Sequence, residues 1–363
     1  MEMVIRPRRK EALASILKQK IYAAFDGEER GKRLREFCLE LLFEQKETWP
    51  ELRRGCESLR DISERDISCR GFSVRLQHNP ERIKNTLADL SKIDANEQAC
   101  FLCLKHLPES QKGVLYRSEY LILCNPRPIF PAHFTVSHLE HRPQAVEEEI
   151  RTLLRLLAEF GSGWTVFYNG PKCGASAPDH LHFQAAPTGQ MPIEREIQEE
   201  KRFTEVKRIG GVLLYRLKDL GREVVVMEGD DPVAVEGVFR ELLNALKKVL
   251  LLTEEPMINV AGFHEEGKWR LVIFPRRKHR PEAFSGKGEA RIVVSPGLID
   301  MGGVLITPVK KDFECLDAAE VEKIYGEVSL EAKALREAVE GLGRTQVRPG
   351  RRLSRKKSAP RIE

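Results

Sequence analysis

The stretch from Tyr168 to Gln184, YNGPKCGASAPDHLHFQ, constrains this chain more than any other. It ends in His180-Leu181-His182-Phe183-Gln184, where two imidazoles and an amide alternate with two large apolar residues. Successive side chains on a strand point to opposite faces. The spacing therefore puts His180, His182 and Gln184 on one face and Leu181 and Phe183 on the other. The apolar pair belongs in a core, and the polar groups gathered opposite it mark a candidate site. Asn169-Gly170-Pro171 and Gly174-Ala175-Ser176 precede it as a tight loop of small residues. Such a loop lets backbone N–H groups approach an anion. A His-x-His alone is commonly chance or a surface pair. The Gln at the same spacing and the small-residue loop turn the reading toward transfer of a nucleotidyl group through phosphorus.

Along the chain, residues 7 to 62 read as helices, with a break at Trp49-Pro50. Phe72 to Leu76 alternates like a strand and runs into an Asn79-Pro80 turn bearing Arg82, either a surface turn or a ligand contact. Cys100 and Cys103 form the one cysteine pair with metal-ligand spacing. Tyr120 to Val136 reads as two short strands around a Pro-rich turn. There Asn125, Arg127 and His133 are the polar groups that could line a pocket, His133 being equally readable as a satisfied structural histidine. Residues 145 to 160 are an amphipathic helix, and Trp164 to Tyr168 a strand. After Gln184 the pattern repeats loosely: strands at 212–215 and 224–227, a helix at 233–252, strands at 257–263 and 269–274, and helix again over 317–341. The run Arg276-Arg277-Lys278-His279-Arg280 is either a solvated strand end or an anion site using Arg276, Lys278 and His279.

Bulk properties exclude several classes. No apolar run approaches ~20 residues, so no membrane span is expected. The basic N-terminus lacks an apolar signal core and reads as a helix, which points to a cytoplasmic protein. Eight cysteines scattered over 363 residues suit a reducing compartment better than a disulfide framework. From Arg344 onward, eight Lys or Arg against Glu363 give +7, leaving −2 for the rest of a chain whose total is +5. A body that close to neutrality argues against a nucleic-acid footprint. The tail itself has the composition of a solvated, disordered segment.

The HLHFQ run resembles the active-site strand of the galactose-1-phosphate uridylyltransferase branch of the histidine-triad superfamily, and is closest in wording to the GDP-hexose phosphorylases. Uridylyltransferases carry Pro between the two histidines, where this chain has Leu181, a departure that bears on the substrate more than on the histidine chemistry. The resemblance implies an α+β fold: a duplicated histidine-triad unit with an antiparallel sheet flanked by helices. It implies a catalytic body over 66–342 in halves of about 66–190 and 191–342; periodicity adds a helical extension over 1–65 before it, and charge a basic tail over 343–363 after it. It makes His182 the nucleophile, with Gln184 and Ser176 stabilising phosphate oxygens. Asn79, Arg82, Asn125, Asn169, Lys172, Gly174, Arg276, Lys278 and His279 are the expected substrate contacts. CFLC resembles the element that opens the zinc site of many uridylyltransferases, which implies one structural zinc on Cys100, Cys103, His141 and His180, with His138 as the runner-up for His141.

The implied activity is a nucleotidyltransferase of the phosphorylase type. It would cleave a nucleoside-diphosphate sugar or related dinucleotide with inorganic phosphate through a nucleotidyl-histidine. A hexose-1-phosphate nucleotidylyltransferase, a diadenosine-polyphosphate phosphorylase and a zinc-bearing nucleotide-binding protein without catalysis stay open. A homodimer is also left open.

Overall fold

The computed structural model describes residues 7–27, 31–87 and 100–343. The basic tail from Arg344 lies outside the described residues, as does the chain before Pro7. Strands in chain order are β1 Ile21–Phe25, β2 Ser63–Ser68, β3 Ser73–His78, β4 Gly113–Tyr116, β5 Tyr120–Cys124, β6 Phe134–His138 and β7 Trp164–Asn169. Then follow β8 His182–Pro187, β9 Phe203–Ile209, β10 Val212–Leu217, β11 Val224–Gly229, β12 Ile258–Glu265, β13 Lys268–Pro275 and β14 Val304–Thr307.

Eleven strands form one sheet in the order β1-β4-β5-β6-β8-β7-β12-β13-β11-β10-β9. A smaller sheet has the order β14-β3-β2. The large sheet repeats one unit twice. Three antiparallel strands (β4-β5-β6) lead through the Ile150–Phe160 helix to β7 and β8, and β9-β10-β11 lead through the Pro232–Leu250 helix to β12 and β13. The halves meet at the antiparallel β7–β12 pair, with Val166 opposite Gly262.

Local chemistry explains the two linking helices. Ile150, Leu153, Leu154 and Leu157 recur at helical spacing and are all buried. Gly161, at φ 73°, ends that helix with its N–H on the Leu157 carbonyl. The second helix starts at Pro232, with the Asp231 side chain accepting from the Val233 N–H at 2.9 Å. Both helices join Leu34–Thr48 and Ala332–Gly341 over one face of the sheet, where Leu181, Phe183 and Ala185 are buried. The other face is covered by the small sheet and the Leu298–Met301 and Ala318–Val328 helices. Among the described residues no helix is long and apolar enough to cross a membrane.

The halves differ in the connection between their last two strands. β7 reaches β8 through residues 170–181, whereas β12 turns into β13 through Glu266 and Gly267 alone, at φ 51° and 75°. Two left-handed residues make the tight hairpin that a twisted antiparallel pair favours. The second half therefore has no counterpart of the Gly170–Leu181 loop.

Helix was expected throughout residues 7 to 62, and this is corrected at Ile21–Phe25, which is β1, paired in parallel with β4 at the sheet edge. The helices Pro7–Lys20, Leu34–Thr48 and Pro50–Ser58 surround it, with the break at Trp49 as expected. Leu34, Cys38, Leu41, Trp49 and Leu52 are buried in the main core. The segment over 317–341 is two helices, Ala318–Val328 and Ala332–Gly341.

Arg276 follows β13 and is only 2% exposed. Its Nε donates to the Val328 carbonyl at 3.2 Å, and Nη1 donates to Asn259 Oδ1 at 2.8 Å and to the Pro296 carbonyl at 2.9 Å. Nη2 donates to the carbonyls of Lys278 and His279, both at 3.1 Å. All five N–H groups of the guanidinium are thus used. Arg276→Gln strands several of these buried acceptors, and removing one member of such a network costs about 3–5 kcal/mol. Urea unfolding of this variant should show a loss of that order; a change below ~1 kcal/mol would contradict the structural role.

Candidate active site

A cleft of about 670 Å³ opens where β7 ends and β8 begins, lined by residues of both halves. His182 lies in it at the start of β8 and is 5% exposed. Its Nδ1 is 2.8 Å from the carbonyl of His180. A carbonyl only accepts, so Nδ1 carries the proton and Nε2 keeps its lone pair for the cleft. Burial lowers the His182 pKa to about 4, which keeps the ring neutral at pH 7. Gln144 holds the strand start in place. Its Oε1 accepts from the His182 N–H at 2.8 Å, and its Nε2 donates to the carbonyls of Asn169 and His182 at 2.9 and 3.1 Å.

Gln184 is oriented by His133. The Ile129 N–H donates to His133 Nδ1 at 3.3 Å, so the proton of that neutral ring sits on Nε2. His133 Nε2 then donates to Gln184 Oε1 at 2.8 Å. With its oxygen occupied, the Gln184 amide has its NH₂ left as a donor, and Gln184 lines the cleft. Burial, with Arg82 nearby, lowers the His133 pKa to about 4. His133 is thus a satisfied, buried histidine that does not line the cleft but sets the group that does.

The loop before β8 is fixed from the second half. Asn259, on β12, donates from Nδ2 to Asn169 Oδ1 and to the Cys173 carbonyl, both at 2.7 Å. The Leu298 N–H adds a second donor to Asn169 Oδ1 at 2.6 Å. Filling that oxygen twice leaves Asn169 Nδ2 as a donor on the cleft lining. Gly174 sits at φ +86°, and a Cβ there would lie 2.5 Å from the Gly297 Cα. Two backbones meet here with no room for a side chain, which brings the loop and the Gly297 turn together at the cleft.

Cys100, Cys103, His141 and His180 bring four ligand atoms within 4.8 Å of one another, a cluster that could hold a metal ion. Cys100 Sγ is 3.3 Å from His180 Nδ1, Cys103 Sγ is 3.3 Å from His141 Nδ1, and Cys103 Sγ is 3.7 Å from His180 Nδ1. A tetrahedral ion with sulfur at ~2.3 Å and nitrogen at ~2.0 Å sets such pairs roughly 3.5 Å apart, so the donor set fits. The supporting shell fits as well. His180 Nε2 donates to the His138 carbonyl at 2.8 Å, which turns the Nδ1 lone pair toward the thiols. His141 Nε2 lies 3.3 Å from Asp179 Oδ2. His138 is turned elsewhere, with Nδ1 accepting from the Glu140 N–H at 3.0 Å and Nε2 lying 3.2 Å from Arg142 Nη1.

Of the residues singled out in the sequence, Arg82, Asn125, Asn169, Gly174, Ser176, His182, Gln184 and His279 line the cleft. Four expected substrate contacts do not. Arg276 is buried behind the cleft with its donors committed to carbonyls. Lys278 points to Glu282, 3.0 Å away at the exposed surface. Lys172 is exposed outside the lining. Asn79 is buried at the start of the turn that carries Arg82, its carbonyl accepting the Arg82 N–H at 3.1 Å. Sequence reasoning missed Gln144 and Asn259, single polar residues without a local motif that meet only in the folded chain; the turns at Ser295-Pro296-Gly297 and Asp300-Met301-Gly302-Gly303 are legible as close approaches, and Ser295 and Asp300 line the cleft. Asp300 accepts from the N–H groups of Gly297 and Ile306, each at 2.9 Å, and burial pushes its pKa up to about 6.

Residues 41–187 match a family model described as a domain of unknown function, DUF4922. No curated protein matches the chain. The fold is similar to that of yeast Ap4A phosphorylase in complex with AMP, at 16% identity and TM-score 0.53, over 81% of this chain and 96% of that one. An ADP-glucose phosphorylase from Arabidopsis thaliana with bound ADP-glucose is similar at 14% identity and TM-score 0.34, over 74% of this chain and 100% of that one. A uridylyltransferase mutant is similar at 12% identity and TM-score 0.37, over 67% and 94%. The expected α+β architecture, a large sheet flanked by helices, is what the chain adopts.

The site makes folding stability depend on pH. His133, His182 and His279 each have a folded pKa of about 4, below the ordinary value of 6.5. Below 6.5 the unfolded chain takes up these protons first, so their stabilisation is complete above 6.5 and is lost as pH falls toward 4. Asp300, raised to about 6, works the other way and offsets one histidine. The unfolding free energy should be nearly flat from pH 7 to 8 and fall between pH 6.5 and 5, these four groups contributing about 3 kcal/mol of the loss. Denaturant titrations at the four pH values check this; equal stability at pH 6.5 and 5 would contradict it.

Proposed function

We propose that this chain is a nucleotidyltransferase of the phosphorylase type. The observation that carries the reading is His182: a buried, neutral imidazole with Nδ1–H on a backbone carbonyl and Nε2 left to a cleft. That is the state in which histidine is a nucleophile at neutral pH. Nε2 attacks the α-phosphorus of a nucleoside-diphosphate sugar or related dinucleotide. The bond to the bridging oxygen breaks, and the phosphate ester beyond it leaves. Inorganic phosphate then attacks the same phosphorus, the P–N bond breaks, and a nucleoside diphosphate is released. The amide donors of Gln184 and Asn169, together with Ser176 and the loop backbone, stabilise charge on the non-bridging oxygens. Arg82 and Asn125 contribute to holding the nucleotide from the first half of the chain.

The likeness in fold to yeast Ap4A phosphorylase supports this reading and makes dinucleoside polyphosphates a substrate class to test beside nucleotide sugars. Transfer to a sugar 1-phosphate in place of phosphate is separated by acceptor dependence. A nucleotide-binding protein without catalysis is separated by the absence of turnover.

In the same reading the Cys₂His₂ cluster holds one zinc ion. All four positions are filled by protein ligands, so the ion would fix His180, two residues before His182, and supply no open coordination site. Purified protein should carry about one zinc per chain, and chelation should lower its melting temperature. Folded, active protein that contains no metal would remove this assignment.

Covalent catalysis predicts ping-pong kinetics. With substrate labelled at the α-phosphorus and no acceptor, label should stay on the protein and be lost in acid, as expected of a phosphoramidate. His182→Asn should abolish labelling and lower turnover by at least ~10³-fold while leaving zinc content unchanged. Comparable turnover by this variant would disprove the histidine mechanism.

A further inference from the structure

A carboxylate stands in the wall of a cleft that takes phosphates in the reading above. Asp300 lines it from the second half, beside Gly297, Leu298, Ile299 and Ile306. A negative charge at that place repels a phosphate oxygen, so it calls for a partner of another kind.

The carboxylate is fixed in direction. Oδ2 accepts from the Gly297 N–H and Oδ1 from the Ile306 N–H, each at 2.9 Å. Gly297 and Ile306 both line the cleft, so the group is clamped between two stretches of its wall. Burial raises its pKa to about 6 against the pull of those two N–H groups, Arg82 and Arg276, which leaves it ionised at pH 8. The two cations act from a distance. Arg276 spends its donors on Asn259 and four carbonyls, and Arg82 spends one on the Arg127 carbonyl. A carboxylate has about four acceptor positions, two on each oxygen, and the backbone takes one on each. The pair that remains, one per oxygen, matches two hydroxyls on neighbouring carbons.

Its place relative to the phosphorus follows from short contacts. A Cβ on Gly174 would lie 2.9 Å from the Gly297 N, the same N–H that donates to Asp300. The next N–H, of Leu298, donates to Asn169 Oδ1. Asp300 is therefore one hydrogen bond beyond the loop that would cradle the α-phosphate, on the wall facing it. A group joined through a single further phosphate reaches that point. Ile299 and Ile306 add apolar surface there. A sugar ring has hydroxyls at its rim and C–H groups on its faces, and a carboxylate among aliphatic side chains complements both.

We propose that Asp300, flanked by Ile299 and Ile306, is the specificity-determining contact for the sugar on the leaving phosphate, accepting from two neighbouring hydroxyls. This rests on the reading of the cleft as a nucleotidyl-transfer site. It narrows the substrate to nucleoside diphosphates that carry a sugar, hexose or ribose, directly on the second phosphate. In a dinucleoside tetraphosphate the same space receives more phosphate, which the carboxylate disfavours.

Calorimetry at pH 8 on the full chain tests this, in the His182→Asn background so that nothing turns over. The probes are ADP-, GDP- and UDP-glucose, ADP-ribose, their single-deoxy sugar analogues, diadenosine tetraphosphate and the nucleoside monophosphates. Removing one hydroxyl of the recognised pair should weaken binding at least about tenfold with Asp300 present, and less than about twofold in Asp300→Asn. The series that responds, deoxyhexose or deoxyribose, identifies the sugar. Asp300→Asn should leave monophosphate affinity within about twofold and should leave or tighten the binding of diadenosine tetraphosphate. Weakening of all these ligands alike would show a carboxylate that only braces the loop, and would overturn the proposal. So would discrimination that survives Asp300→Asn, or no binding of any sugar nucleotide at millimolar concentration. Thermal unfolding checks the variant. If Asp300→Asn does not fold, the analogue series on the Asp300 protein decides, and affinities within twofold across it overturn the assignment. Absence of a nucleotidyl-His182 adduct in wild type, with hydroxyl discrimination intact, would bring down the mechanism and leave the sugar contact standing. The adduct without discrimination would do the reverse.

Discussion

A buried hydrogen-bond chain joins the two halves of this molecule, and the cleft depends on it. Arg276 donates to Asn259 Oδ1, Asn259 Nδ2 donates to Asn169 Oδ1, and Asn169 is the last residue of β7. Each link dictates the next. An arginine only donates, so it fixes which end of the Asn259 amide is oxygen; that fixes the Asn259 donor and, through it, the Asn169 oxygen. The Asn169 amide thereby leaves its NH₂ on the cleft lining. Because all three groups are nearly inaccessible to water, no solvent molecule can replace a lost partner cheaply.

The chain also explains how one unit used twice yields one site. The halves share strand order and linking helix, with β1 an addition at the first half's edge. The symmetry stops at the last connection, where one half has a long loop and the other a two-residue hairpin. At the edge bearing the long loop, the second half contributes the end of β13 and the turns around Gly297. The second half therefore acts as the opposite wall of the first half's site. Its basic run is split accordingly: Arg276 turns inward as structure, Lys278 and Arg277 meet surface carboxylates, and His279 and Arg280 face the cleft.

Much of this was legible in the chain because it is local. Alternation in HLHFQ put Leu181 and Phe183 in the core and His182 and Gln184 on the other side, and β-strand geometry requires nothing distant to do so. The amphipathic helix ending at Phe160 and the break at Trp49 follow equally from periodicity and from Pro50. The four metal-type ligands were placed together by resemblance, and three short segments do bring them within bonding reach of one ion. β1 was not legible. Ile21–Phe25 follows a helix without a Gly or Pro break, and it is a strand because β4, far along the chain, offers a parallel edge.

What the sequence by itself determined is the identity of the polar groups on the cleft, the face they share, and the small-residue loop beside them, since these follow from residue type and a period of two. The tertiary structure alone decided which nitrogen of His182 is bare, through the His180 carbonyl, and which way Gln184 faces, through His133. It alone put Arg276 in the interior and Arg280 on the cleft lining, two cations four positions apart. The physical reason is that hydrogen-bond saturation is a property of the surroundings. A donor's worth to a ligand is set by how many acceptors the fold has already placed around it, and those acceptors come from segments that no local pattern connects.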